Sequence, residues 1–129
     1  GQTLGIAGDL LGSGDEVIDR VEALFQAGAY VEATDLQPFT TEGATYLAGD
    51  FSSEVTGQVN NPYPSQISNL RVSALAFNEA GNIIGGGFTF LDFVPASGKT
   101  AVSVPVAVSG TPASVGLLAA LSGLSEISQ

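Results

Sequence analysis

Residues Leu70 to Val94 read LRVSALAFNEAGNIIGGGFTFLDFV. Leu70 to Phe77 alternates, with Leu70, Val72, Ala74 and Ala76 on one face and Arg71, Ser73, Leu75 and Phe77 on the other. A period of two is the mark of a strand. Asn78-Glu79-Ala80-Gly81-Asn82 is a polar turn, with Gly81 free to take the left-handed conformation a hairpin needs. Ile83 and Ile84 open a return strand. Along it Phe88, Phe90, Asp92 and Val94 face one way, and Thr89, Leu91 and Phe93 the other. Apolar residues on both faces predict a strand inside a sandwich. Gly85-Gly86-Gly87 leads into Phe-Thr-Phe rather than a lysine and a helix, so it is not a phosphate loop. It predicts a β-bulge or bend with positive φ that turns Phe88 and Phe90 into the core.

Working outward, Thr100 to Val108 alternates again, and Pro105 predicts an edge position or a bulge. Pro95 to Lys99 forms a turn before it. Ala44 to Val59 reads as one long strand or two short ones, kinked near Gly49 or Gly57. Pro38 with Thr41-Glu42-Gly43 reads as a loop, and so does Asn60-Asn61-Pro62-Tyr63-Pro64. Tyr30 to Leu36 has strand composition. Asp15 to Gln26 fits a helical stripe or a strand face equally well. Thr111-Pro112 could open a helix, but Gly116 and Gly123 favour a strand over Val115 to Ile127. At an offset of about 97 positions Gly1, Thr3, Ala23 and Leu24 meet Gly98, Thr100, Ala120 and Leu121, a weak sign of tandem repetition. The expected organisation is an N-terminal segment, 1–36, that adds strands or a short helix or ends a preceding repeat. A β-sandwich would follow over 37–129.

Composition narrows the chemistry. The 129 residues suffice for one domain with a sizeable core. The net charge is −10, and Arg20, Arg71 and Lys99 are the only cations. Three cations cannot neutralise a run of phosphates, so no nucleic acid is expected as partner, and anionic membrane surfaces are disfavoured. Cys, His, Trp and Met are absent. Thiolate nucleophiles, zinc–sulfur sites and histidine bases are therefore excluded, and no cofactor is expected. No run of 18 apolar residues is present to insert directly in a membrane. A chain that begins Gly1-Gln2 and lacks Met is expected to be a mature or trimmed form, from signal-peptide removal or cloning.

Three stretches together carry a resemblance. Val55-Thr56-Gly57-Gln58-Val59-Asn60-Asn61 is similar to the opening strand of FxLYD-type domains. Ser73 to Gly81, SALAFNEAG, resembles their namesake motif, with Phe77 in place of its Tyr and Asn78 in place of its Asp. VPASGKTAVSVPV resembles their Pro-Gly turn and following strand, although Ala-Ser stands before Gly98 where the family often has Pro. The resemblance spans residues 55 to about 108, or to 127 with the last strand. It implies an all-β, immunoglobulin-like β-sandwich of bacterial or archaeal exported or surface-attached proteins, with no general enzymatic role.

Few residues stand out for chemistry. Asn78 and Glu79 do not match a calcium loop and suit a turn. Asp15, Glu16, Asp19 and Glu22 suit a solvated face. Asp92, set among apolar residues, is expected near a strand end or paired with Arg71 or Lys99. Tyr30, Tyr46 and Tyr63 are the aromatics a sugar could stack on. Tyr63, with Asn60 and Asn61 in the same loop, is the best binding candidate, because sandwiches host function on loops. The expected function is a non-catalytic exported module with a structural, adhesion or protein-interaction role. It would lie outside the cell or on its envelope, and meet a protein, a surface component or tandem copies of itself. The alternative is a small-ligand or carbohydrate-binding module.

Overall fold

The computed structural model describes residues 3–6, 8, 20–24, 26 and 37–128. The described residues form eight strands and no helix. They are β1 (Thr40–Leu47), β2 (Ser53–Asn60), β3 (Gln66–Ser68), β4 (Leu70–Phe77), β5 (Ile83–Leu91), β6 (Lys99–Val108), β7 (Ser114–Ala120) and β8 (Glu126–Ser128). Six of them make an antiparallel sheet in the order β1-β2-β6-β5-β4-β7, and β3 pairs with β8.

The sheet curls until its two edges meet. Thr41 Oγ1 on β1 donates to the Leu117 carbonyl on β7 at 2.7 Å. Leu117 also reaches across the interior to β2, where its Cδ1 lies 2.5 Å from the place a Cβ on Gly57 would occupy. The result is a nearly closed, barrel-like sheet. Its interior is filled by alternate residues of each strand: Val55 and Val59, Leu70, Val72 and Ala74, Val102, Val104 and Val106, Leu117 and Ala119. Ile67 and Val94 bond each other through both backbone groups and cap one end. Burying branched side chains of this size stabilises by about 1.5–3 kcal/mol each, which is how a sheet of such small residues holds together.

The hairpin over residues 70–91 forms as its sequence predicts. Asn78 N–H donates to the Asn82 carbonyl at 2.9 Å, and Gly81 has φ 79°. Asn78 Oδ1 accepts from Asn82 N–H at 2.9 Å, the local bond that makes Asn a turn residue. The triple glycine acts differently from the expectation. None of the three has positive φ, and the register slip of the hairpin falls one residue earlier, at Ile84. The glycines instead allow backbones to approach. A Cβ on Gly85 would stand 2.1 Å from the Ala107 carbonyl oxygen, on Gly86 2.6 Å from that of Ala74, and on Gly87 1.9 Å from that of Pro105. Phe88 and Phe90 do not enter the core. They pair across from Ser73 and Arg71, on the outer side of the sheet, and are half-buried.

Other expectations are corrected or refined. Thr41-Glu42-Gly43 is not a loop but part of β1, where Gly43 (φ 68°) carries a bulge between Glu42 and Thr45. The 44–59 stretch is two strands, turning at 48–52, with Gly57 inside β2. Pro105 does not lie on an edge strand, because β6 has β2 on one side and β5 on the other. Its carbonyl faces β5, and in an antiparallel strand the N–H would point the same way. The β5–β6 ladder has only two pairs, Gly85↔Val108 and Gly86↔Ala107, and stops before it reaches the missing donor. The strand expected over 115–127 is present in two pieces, β7 and β8. Arg20 to Leu24 and Gln26 lie in neither helix nor strand. The strand expected at 30–36 lies outside the described residues.

Candidate functional site

Asn60, Asn61 and Tyr63 sit where β2 leaves the sheet. Asn61 is 4% exposed, and its side chain is fully engaged. Nδ2 donates to the Ser65 carbonyl at 2.8 Å and the Pro95 carbonyl at 3.0 Å, and Oδ1 accepts from Tyr63 N–H at 3.0 Å. Its backbone N–H donates to Gly98. Asn61 thus bolts the 61–65 loop to the 95–98 turn.

Tyr63 is held at both ends. Its ring packs against Phe39, with centroids 5.5 Å apart. Its hydroxyl donates to the Gln37 carbonyl at 2.9 Å and accepts from Gln37 N–H at 3.1 Å. Its carbonyl accepts from Ser97 N–H. Asn60 donates to Thr40 Oγ1 at 3.0 Å, while its own Oδ1 is enclosed with no hydrogen-bond partner among the described residues. The three predicted residues do share one corner, and the bonds there tie the chain entering β1 to two loops.

The remaining candidates are dispersed. Tyr46 packs on the core and donates to Ser53 Oγ at 2.9 Å. Tyr30, Asp15, Glu16 and Asp19 lie outside the described residues, and Glu22 pairs with Arg20 in solvent. Asp92 follows the end of β5 and is exposed. Lys99 pairs with Glu42, on strands two apart in the sheet. Among the described residues no three acids come together as metal ligands would.

The outer surface of the sheet divides into two unlike halves. Over β1-β2-β6 it presents Glu42, Thr45, Thr56, Gln58 and Ser103, aligned across strands by the pairs Thr45↔Thr56↔Ser103 and Glu42↔Gln58. An open groove of about 850 Å³ runs there. Over β5-β4-β7 the outward residues are Arg71, Ser73, Leu75, Phe77, Phe88, Phe90 and Leu118. Those three strands carry no Asp or Glu. The Arg71 guanidinium lies 4.2 Å from the Phe88 ring centroid and 5.9 Å from that of Phe90. The two rings meet edge to face at 6.0 Å. An arginine on aromatic faces lays its stem and planar head along apolar surface while keeping its charge.

Sequence reasoning passed over this second half because alternation marks inward and outward positions without saying which outward face is apolar. It also passed over Phe51, fully exposed in the turn between β1 and β2. Only its aromatic type among Gly, Ser and Asp could have drawn notice. Compared with models of protein families, with curated proteins and with solved structures, the chain matches none.

Proposed function

We propose that this chain is a non-catalytic, exported module of FxLYD-like, immunoglobulin-like sandwich type, with a structural, adhesion or protein-interaction role outside the cell or on its envelope. The observation that carries the interaction role is the apolar outward side of β5-β4-β7, three strands without an Asp or Glu, on a protein of net charge −10. Strands from which acids are withheld, on a chain that uses acids for solubility, suit contact with another surface. The sandwich reading draws on the two-pair β5–β6 ladder, the shortest in the six-stranded sheet, as the line along which its two three-stranded halves would divide. The test is the location of the native gene product. Fractionation and protease shaving of intact cells are expected to find it outside the cytoplasm, and a wholly cytosolic product would overturn the reading. The alternative, a small-ligand or carbohydrate-binding module, draws on the open polar groove of Glu42, Thr56, Gln58 and Ser103. Calorimetry with a panel of simple sugars at millimolar concentration tests it, and absence of heat removes it.

A further inference from the structure

The chain reaches the sheet through Gln37, and β1 is an edge strand that pairs, among the described residues, with β2 alone. Tension from the N-terminal side therefore arrives at the outermost pair of an antiparallel ladder, Thr40↔Asn60. From that end a ladder comes apart one pair at a time, because each bond bears the load only while it is outermost. The bulge at Gly43 interrupts the ladder and divides β1 into an entry half, Thr40 to Glu42, and a far half, Thr45 to Leu47, with three pairs each. Three pairs are little to hold an edge pulled from its end.

The side chains around the entry half are placed to oppose this. Just before β1, Gln37 is bonded through both backbone groups to the Tyr63 hydroxyl, at 2.9 and 3.1 Å. Phe39 packs on the Tyr63 ring. Thr40 Oγ1 accepts from Asn60 Nδ2 at 3.0 Å, Thr41 Oγ1 donates to the Leu117 carbonyl on β7 at 2.7 Å, and Glu42 pairs with Lys99 on β6. Tyr63 is itself anchored, since its N–H donates to Asn61 Oδ1 and its carbonyl accepts from Ser97 N–H. In the far half, among the described residues, one side-chain bond reaches another strand, from the Tyr46 hydroxyl to Ser53 Oγ. Core packing alone would not favour one end of a strand in this way.

We propose that residues 37–42 form a latch that stops β1 from peeling off the sheet at the end where the chain enters it. Tension from the N-terminal side is then borne by Tyr63 before it reaches the β1–β2 ladder. The latch deepens the structural role proposed above and rests on that reading for its purpose.

Hydrogen exchange of single amides in the full chain tests it. The Glu42 carbonyl lies against Gly57 on β2, so the Glu42 and Thr40 amides face β2 as well and report opening of the entry half. Tyr63→Phe deletes both bonds to Gln37 and is expected to speed exchange at Thr40 and Glu42 at least about fivefold. Tyr46→Phe is expected to speed the far half and leave Glu42 within about twofold. Both variants keep the ring, so the packing is the same. The chain has no cysteine, so Ala96→Cys, at an exposed position in the turn that holds Tyr63, gives a single handle for pulling against the N-terminus. At constant force the entry half is expected to release severalfold faster with Tyr63→Phe added, and no faster with Tyr46→Phe. If Tyr63→Phe speeds the amides of β4 but not Glu42, Tyr63 stays bonded while β1 opens and the latch is overturned. Equal effects of the two variants on Glu42, or on release under force, overturn it too, because β1 then opens as one piece. None of these results bears on export, which fractionation decides.

Discussion

Two adjacent asparagines should behave in opposite ways when truncated. Asn61→Ala removes three side-chain hydrogen bonds, to Ser65, Pro95 and Tyr63, at a residue that is almost wholly buried. At about 1 kcal/mol net for each bond, the loss is about 3 kcal/mol, and more if water does not reach the freed carbonyls. For a chain of this size that lowers the midpoint of thermal unfolding by roughly 10 °C. Asn60→Ala removes one bond to Thr40 and, with it, an enclosed oxygen that has no partner among the described residues. Deleting an unsatisfied polar atom offsets the lost bond, so the cost should stay below about 1 kcal/mol. Urea denaturation followed by tyrosine fluorescence and far-ultraviolet dichroism measures both, and an unchanged slope with denaturant would confirm that the difference lies in stability. Equal losses at the two positions would refute the reasoning, because they would mean that bond count and burial do not govern this corner.

Two further outcomes can be measured the same way. Gly87→Ala would press a methyl to 1.9 Å from the Pro105 carbonyl oxygen and should cost several kcal/mol or prevent folding, whereas Gly81→Ala meets only open space and pays the positive-φ penalty of about 1–2 kcal/mol. Equal costs would show that the β5–β6 backbones do not approach as described. In a double-mutant cycle of Arg71→Gln with Phe88→Leu, the coupling should be about 0.5–1 kcal/mol at this partly exposed pair, and additive losses would remove the stacking.

The strands were legible in the sequence wherever alternation was clean. Val102, Val104 and Val106 and Leu70, Val72 and Ala74 face inward as their spacing requires, and the polar turn at 78–82 closes with Gly81 left-handed. Misreadings came where one residue type serves two physical purposes. Gly43 looked like a loop and is a bulge in a strand, because positive φ suits both. The glycines at 85–87 looked like a conformational device and are a steric one. Their φ values stay ordinary, and what they lack is the Cβ that would strike the β6 backbone. That neighbour is distant in sequence, so no local pattern could announce it. Placing Phe88 and Phe90 in the core followed from the same error. Register, set by the slip at Ile84, puts them opposite Ser73 and Arg71 instead.

The candidate site was legible in residue type, while the contacts that hold it together were not. Asn60, Asn61 and Tyr63 were singled out as polar and aromatic groups on a loop, the usual dress of a binding residue. The same groups suit a loop that must satisfy its own backbone. Asn61 shows why the two are hard to separate, since an amide has two donors and two acceptor lone pairs whether it meets a ligand or a carbonyl. What separates them is long-range geometry: Ser65 is near in sequence, but Pro95 is not. The apolar outer face was hidden for the converse reason. Arg71 and Ser73 give β4 the look of a solvated face. Only the cross-strand partners, Phe90 and Phe88 on one side and Ala120 and Leu118 on the other, turn that face apolar. A sheet's outer surface belongs to three strands at once, and each strand's sequence states a third of it. Acids placed on β1 and β2 and withheld from β4, β5 and β7 therefore express a division of labour between faces that becomes visible only when the strands are set in order.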